Sequence, residues 1–500
     1  MAGCNETAME CGDMRFYRCV LMACLAAGCG AANDGPSGSS PTSAQTAATA
    51  TDGVRVAEAQ PPAIVQASAE TAKPADRRAE ATALVARAEQ LHRQGDALGT
   101  LRALTAAIAA TPDSADLYSK RAAVLASAQL LPKAIADITR AIELAPRDAK
   151  LHNSRGFYFL SQQNYDRAME DFNDAIGLDL AYSHPYNNRG LLRIATGDPE
   201  KAIADFDAAL RIDPKYRDAL NNRGLALMQV KRFDEALESF TSALDLSPEY
   251  PTGWNNRGLA YHKLKRHADA VADFTKAIEL QPDVPKYYVQ RAEALEQLDR
   301  REAALKDIEY ATSLVQVAEI NQSIKRSPSD AGLWVRRGQV LLSADRLDEA
   351  LADFERALRL NPDNAAALTG RAAVALRRGN SAQAVKDASQ AIEVQHDFIA
   401  FSLRGDAFFA QGDYDHAIED YVAAQRADSQ VARAYLLRSE QRKAAGQVDQ
   451  ASADFDRAVS LDPSLSPEDA ARLKAAQPVE SDTPRELPPL PDDVQALPEQ

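Results

Sequence analysis

Between Ser183 and Asp283 the chain writes nearly the same sentence three times. Asn187-Asn188-Arg189-Gly190-Leu191, Asn221-Asn222-Arg223-Gly224-Leu225 and Asn255-Asn256-Arg257-Gly258-Leu259 are in register. Gly190, Gly224 and Gly258 are 34 residues apart, as are Ala202, Ala236 and Ala270, and Pro214, Pro248 and Pro282. A unit this short cannot enclose its own core, so it must bury its apolar face against the units before and after it. Each unit reads as two antiparallel helices. In the first, Asn187 to Thr196 is ended by Gly197, Asp198 and Pro199, because Gly leaves a helix easily and Pro suits only its first turn. Glu200 to Ile212 follows, with Ile203, Phe206 and Leu210 on one face. Gly190 and Ala202 are placed to let the two helices cross closely, with Phe206 filling the space beside the crossing.

Extending the period in both directions yields eleven units, starting near Ala81, Ala115, Ala149, Ser183, Arg217, Pro251, Pro285, Ala331, Ala365, Phe398 and Ala432. A small residue recurs before each turn, and an alanine recurs late in every second helix, from Ala107 to Ala458. This pattern resembles the tetratricopeptide repeat, in the variant with Arg before the glycine. The resemblance implies an all-α fold: a right-handed superhelical solenoid of about eleven helix–turn–helix repeats, its first helices lining a concave surface.

The period breaks once. Twelve extra residues enter after the seventh unit. The resulting boundaries are repeats one to seven over 81–315, a helical insertion over 316–328 and repeats eight to eleven over 331–465. Val317, Ile320 and Ile324 at helical spacing make the insertion a lengthened second helix or one extra helix, either of which would tilt the last four units. The unit at 365 is the weakest, with Ala388 where others have a large apolar residue and His396 in place of proline. Ser466, Pro467, Glu468 and Asp469 predict the start of a capping helix over 466–477. Residues 478–500, rich in Pro and acids, read as a disordered tail.

All five cysteines precede residue 30, so the repeats have no disulfide framework and no thiolate chemistry. Arg15 and Arg18 before the apolar run Val20 to Ala27, with small residues ahead of Cys29, have the layout of a secretory signal over 1–29. Together with Cys29 it resembles a bacterial lipoprotein signal, which implies a lipidated Cys29; Cys24 is the alternative. The family's leucine three residues before the cysteine is Ala26 here. The acidic residues 1–13 make a poor leader, so translation is expected to begin at Met14. The Ala/Ser/Thr/Pro composition of 30–75 predicts a disordered tether. Lipid anchoring on the periplasmic side of a bacterial envelope, at the outer membrane, is the expected localisation.

The net charge of −15 and the lack of a basic run argue against nucleic acid and anionic lipid as general partners. The sequence has no phosphate loop, no nucleophile elbow and no histidine pair at ligand spacing. No enzyme activity, cofactor, metal site or small-molecule substrate is therefore expected. Every unit has Arg before its small residue, and nine have Asp sixteen residues later, from Asp137 to Asp454. These read as structural pairs between facing helices. Asn188, Asn222 and Asn256, with Asn187, Asn221 and Asn255 before them, form a register row that resembles the asparagine ladder of the O-GlcNAc transferase superhelix. An amide both donates and accepts, so such a row suits the backbone of an extended peptide. Phe157, Leu191, Leu225 and Leu259 would add apolar contact. A chaperone-type carboxylate clamp fits worse, since those positions are apolar. The expected function is a scaffold that holds an extended protein segment or assembles partner proteins. The alternative is a dedicated subunit of an envelope secretion or assembly complex.

Overall fold

The computed structural model describes residues 74–465, which form twenty-two α-helices and no strands. They divide into two compact units at Pro282 and Asp283. The first holds α1 (Pro74–Arg93) to α12 (His267–Leu280), and the second α13 (Pro285–Glu296) to α22 (Val448–Leu461). In each, successive helices pair off and every pair packs on the next. This is the all-α stack of repeats that the period predicts. The proposed signal, tether, capping helix and tail lie outside the described residues.

Each repeat turns in the same way. One residue per repeat, 34 apart through most of the chain, adopts a left-handed conformation: Gln163 (φ 59°), Gly197 (φ 85°) and Lys231 (φ 62°) are examples. The next residue then donates its N–H back to a carbonyl five residues earlier, as Asp198 to Arg193 (2.8 Å) and Arg232 to Leu227 (2.9 Å). This closes the first helix with a Schellman-type cap. In α7 (Ser183–Thr196) and α8 (Pro199–Ile212) all three expected breakers act. Gly197 takes the left-handed position, Asp198 caps α8 by accepting from Lys201 N–H, and Pro199 begins it.

Small and large residues are matched at most of the helix crossings. A Cβ on Gly190 would lie 2.6 Å from the fully buried Phe206 ring, and on Gly224 2.4 Å from Phe240. Gly156, Gly258, Gly338 and Gly405 face Phe172, Phe274, Phe354 and Tyr421 in the same way. Where the small residue is Ala122 or Ala292, the position sixteen on holds Ile138 or Ile308 instead of a ring. The unit at 365 pairs two alanines, Ala372 and Ala388, both fully buried. The insertion proves to be the lengthened second helix: α14 (Arg301–Arg326) runs unbroken for 26 residues. Ile320 and Ile324 are buried, and Val317 packs with Val335 and Phe354 of the next repeat.

Gly190→Ala should therefore destabilise by about 1–3 kcal/mol through overpacking. Combined with Phe206→Ile, the combination that Ala122 and Ile138 show, the loss should be smaller than the sum of the two single losses. Denaturant unfolding of the four species measures this, and additivity within ~0.5 kcal/mol would reject the coupling.

Candidate protein-interaction surface

The recurring arginine ties each repeat together. All nine expected Arg–Asp pairs form, each with two parallel N–H···O bonds. Arg189 reaches Asp205 at 2.7 and 3.0 Å, Arg257 reaches Asp273 at 2.7 and 2.9 Å, and Arg371 reaches Asp387 at 2.7 and 2.8 Å. Donating to Asp273 holds Arg257 more firmly protonated, while burial pushes the Asp273 carboxyl up against the pull of Arg257. Two oxygens accepting two donors require the carboxylate, so the pair is charged, and the cost of burying it reduces its net benefit. At one exception Arg223 turns to Ser239 (2.6 Å) and Asp207 (2.7 Å). At the other, Arg87 bonds only its helix neighbour Gln90.

The sequence reading missed two partners of these arginines. The remaining guanidinium nitrogen often reaches back to the second helix of the previous repeat. Arg121 bonds Thr105 (3.1 Å), Arg189 bonds Asn173 (2.7 Å) and Arg257 bonds Thr241 (3.3 Å). A ring three residues earlier lies beside the guanidinium in seven repeats, including Tyr186 below Arg189 at 5.8 Å and Trp254 below Arg257 at 4.8 Å. The Tyr, Trp or Phe three residues before the arginine in those seven repeats was the signal available in the sequence.

The asparagines require a correction. Expected to face solvent, they are buried: Asn187 is 1% exposed and Asn222 7%. They bond to one another across α5 (Ala149–Ser161), α7, α9 (Arg217–Gln229) and α11 (Pro251–Lys263). Asn222 Nδ2 donates to Asn187 Oδ1 (3.0 Å), Asn187 to Asn188 (3.3 Å), Asn188 to Asn153 (2.9 Å) and Asn153 to the Tyr182 hydroxyl (3.3 Å). Asn256 donates to Asn221 at 2.9 Å. Asn255 is equally buried. The reason is length and spacing: a short amide reaches the matching helix of the next repeat before it reaches water. Burial also pushes the Tyr182 hydroxyl up to about 12.

The apolar row behaves differently. Phe157, Leu225 and Leu259 are half-buried and Leu191 is buried, all four belonging to one packed cluster. One turn from the asparagines, Phe157, Leu225 and Leu259 keep part of their apolar surface open. Tyrosines at the helix starts add to it: His184 stacks between Tyr182 and Tyr216, each at 5.1 Å, and Arg217 lies 4.8 Å above Tyr250. Tyr182, Tyr216 and Tyr250 are 34 apart, so this row too was present in the sequence. His262 and His267 meet with Nδ1 atoms 3.3 Å apart, and burial with the neighbouring His267 holds His262 below its ordinary range.

Arg189→Met should cost less than the ~3–5 kcal/mol of a fully unpaired buried charge, because Asp205 loses two bonds but keeps Arg193 Nη1 at 2.8 Å. With Asp205→Leu added, a double-mutant cycle should show clear coupling. Additive effects would remove the pair's structural role. Asn221→Ala strips Asn256 of its acceptor, and a loss of about 1–3 kcal/mol in urea unfolding is expected. An unchanged midpoint would show that the amide chain contributes no stability.

A family model described as Tetratricopeptide repeat matches residues 131–185, 187–251, 221–285 and 402–466, and a second of the same description matches 331–364. Together they cover about half of the chain. No curated protein matches. Solved structures with a similar fold include the crystal structure of MamA at 20% identity, covering 32% of this chain and 94% of that one, TM-score 0.31. YrrB, titled a TPR protein with an unusual peptide-binding site, is 24% identical over 36% of this chain and 93% of its own, TM-score 0.30. PilW, a type IV pilus biogenesis factor, is 21% identical over 39% and 90%, TM-score 0.37. The helix pairs, their Schellman turns and the matched crossings are those of the family whose models the sequence meets: the chain belongs to the tetratricopeptide repeat family and is built as a protein-interaction scaffold.

Proposed function

We propose that this protein holds an extended segment of a partner protein against the first helices of its third to sixth repeats, tethered by a lipid on the periplasmic side of a bacterial envelope. The observation that carries the binding part is the row Phe157, Leu191, Leu225 and Leu259, repeated every 34 residues, of which Phe157, Leu225 and Leu259 stay partly open. An extended polypeptide passes such a row at regular intervals, and half-buried apolar groups gain from losing their remaining contact with water. Asn187, Asn188, Asn221, Asn222, Asn255 and Asn256 act in this reading by fixing the first helices at a set spacing. Direct contact with the client backbone would require Asn187, Asn188, Asn221, Asn222 and Asn256 to exchange bonds they already make.

The envelope part rests on the sequence alone. Arg15, Arg18, the apolar run and Cys29 have the layout of a lipoprotein signal. Gly30 rather than Asp follows Cys29, which by resemblance to sorted lipoproteins favours the outer membrane. Proteins of this repeat family are in general non-enzymatic scaffolds, and the protein is read as one.

Leu225→Asp with Leu259→Asp should lower client capture, read by cross-linking in membranes and mass spectrometry, at least tenfold while leaving the helical signal unchanged. Equal capture by this variant and the wild type would move the binding surface elsewhere. Separately, Cys29→Ser should leave an unprocessed chain or release it from membranes. A native N-terminus still at Met1, found by intact-mass measurement, would refute the anchor without touching the binding surface.

A further inference from the structure

One repeat departs from the internal pattern at two places at once. Three residues before the repeat arginine, where Tyr118, Tyr186, Trp254 and Trp334 carry rings beside guanidinium groups, the third repeat has His152. Three residues after the paired aspartate it has Asp174, where other repeats have residues such as Arg140, Ala208, Lys276, Tyr310 and Gln390 and none has an acid. His152 lies on α5, and Asp171 and Asp174 on α6 (Tyr165–Leu178). The fold brings the three side chains together across 19 and 22 residues of sequence.

The imidazole is oriented. His152 is buried, and its Nε2 lies 3.2 Å from the Pro146 carbonyl, which can only accept. Nε2 therefore carries a proton, so in the neutral ring Nδ1 is the nitrogen that presents a lone pair. That Nδ1 is buried and has no hydrogen-bond partner, a costly state for a polar atom. It points at two carboxylates: Asp171 Oδ1 and Asp174 Oδ2 each lie 3.7 Å away. These distances are too long for hydrogen bonds. They are close to the ~3.4 Å that separates two donors on one tetrahedral metal with bonds near 2.0–2.2 Å.

We propose that His152 Nδ1, Asp171 Oδ1 and Asp174 Oδ2 bind one divalent transition-metal ion of the zinc class. One neutral imidazole and two carboxylates form a donor set that suits such an ion. The Pro146 carbonyl orients the ligating ring, as an outer partner of a metal-bound histidine usually does. Arg155 donates to Asp171 Oδ1 from Nη2 (2.7 Å) and, at longer range, from Nε (3.2 Å), and to Oδ2 from Nε (2.9 Å), so the ion would take over the longer Nε contact on Oδ1. Asp174 is largely exposed, so it can swing toward the ion and leaves a side open for water. The charge of Arg155 opposes the ion and sets a moderate affinity. Cross-bracing α5 to α6 would stiffen the repeat that presents Phe157.

The test uses the full chain with its five cysteines alkylated, titrated with zinc chloride by calorimetry, with bound zinc counted after desalting. His152→Tyr restores the residue type of Tyr118 and Tyr186 and should fold normally, and Asp174→Ala reproduces Ala208. Wild type should bind one more zinc ion per chain than either variant, and zinc should raise its melting temperature while leaving theirs unchanged at this site. The His262 and His267 pair is common to all three proteins and cancels in the difference. Wild type that takes up no zinc, or variants with its full stoichiometry, overturns the proposal. So does a His152 imidazole whose NMR titration with pH is the same with and without zinc, which would assign the cluster to a proton shared with the two carboxylates.

Discussion

The array depends on one arginine per repeat. In nine repeats its guanidinium makes two bonds to an aspartate on the facing helix; in seven it rests beside a ring one turn earlier, and it often extends a third bond to the preceding repeat. Arginine is suited to this because its donors form a planar fork with directions to spare and its face stacks on rings. A lysine could replace the charge without replacing that geometry. The same group thus closes a repeat internally and sets where its neighbour begins. A solenoid requires both, because no single repeat has a core of its own.

The pairs are not in themselves a source of large net stability. At Asp273 burial outweighs the pull of Arg257 and pushes the carboxyl up, so the pair's desolvation offsets much of its attraction. The apolar crossings do more. Phe206, Phe240, Phe274 and Phe354 are fully buried against glycine backbone, and close contact of ring with backbone yields dispersion as well as hydrophobic gain. The ion pairs then select one rotation of the two helices among those the crossing would tolerate.

This division of labour frees the first helices to act as a presenting surface. Their inward positions are used by the crossing and the arginines, and the amide chain from Asn222 to Tyr182 locks neighbouring first helices in step. What remains is the apolar row and the tyrosines at the helix starts. The third repeat, with His152 and Asp174 in place of the common pattern, is the place where the array has acquired chemistry of its own.

Much of this was legible before any coordinates. The number of repeats, the turn at Gly197-Asp198-Pro199, the crossing of Gly190 with Phe206 and the pairing of Arg189 with Asp205 all follow from spacings within one unit, where a helix pair allows one register. The tertiary structure decided matters that depend on the rotation of one repeat against the next. Asn188 and Asn153 are 35 residues apart, and whether a short amide meets its neighbour or water is set by an inter-helix distance that no local pattern encodes. The insertion read equally well as a longer helix or a new one, because only its packing on the next repeat keeps α14 unbroken. His152 with Asp171 and Asp174 left no motif in the sequence, since ligands on two antiparallel helices meet through the fold and not through their separation along the chain.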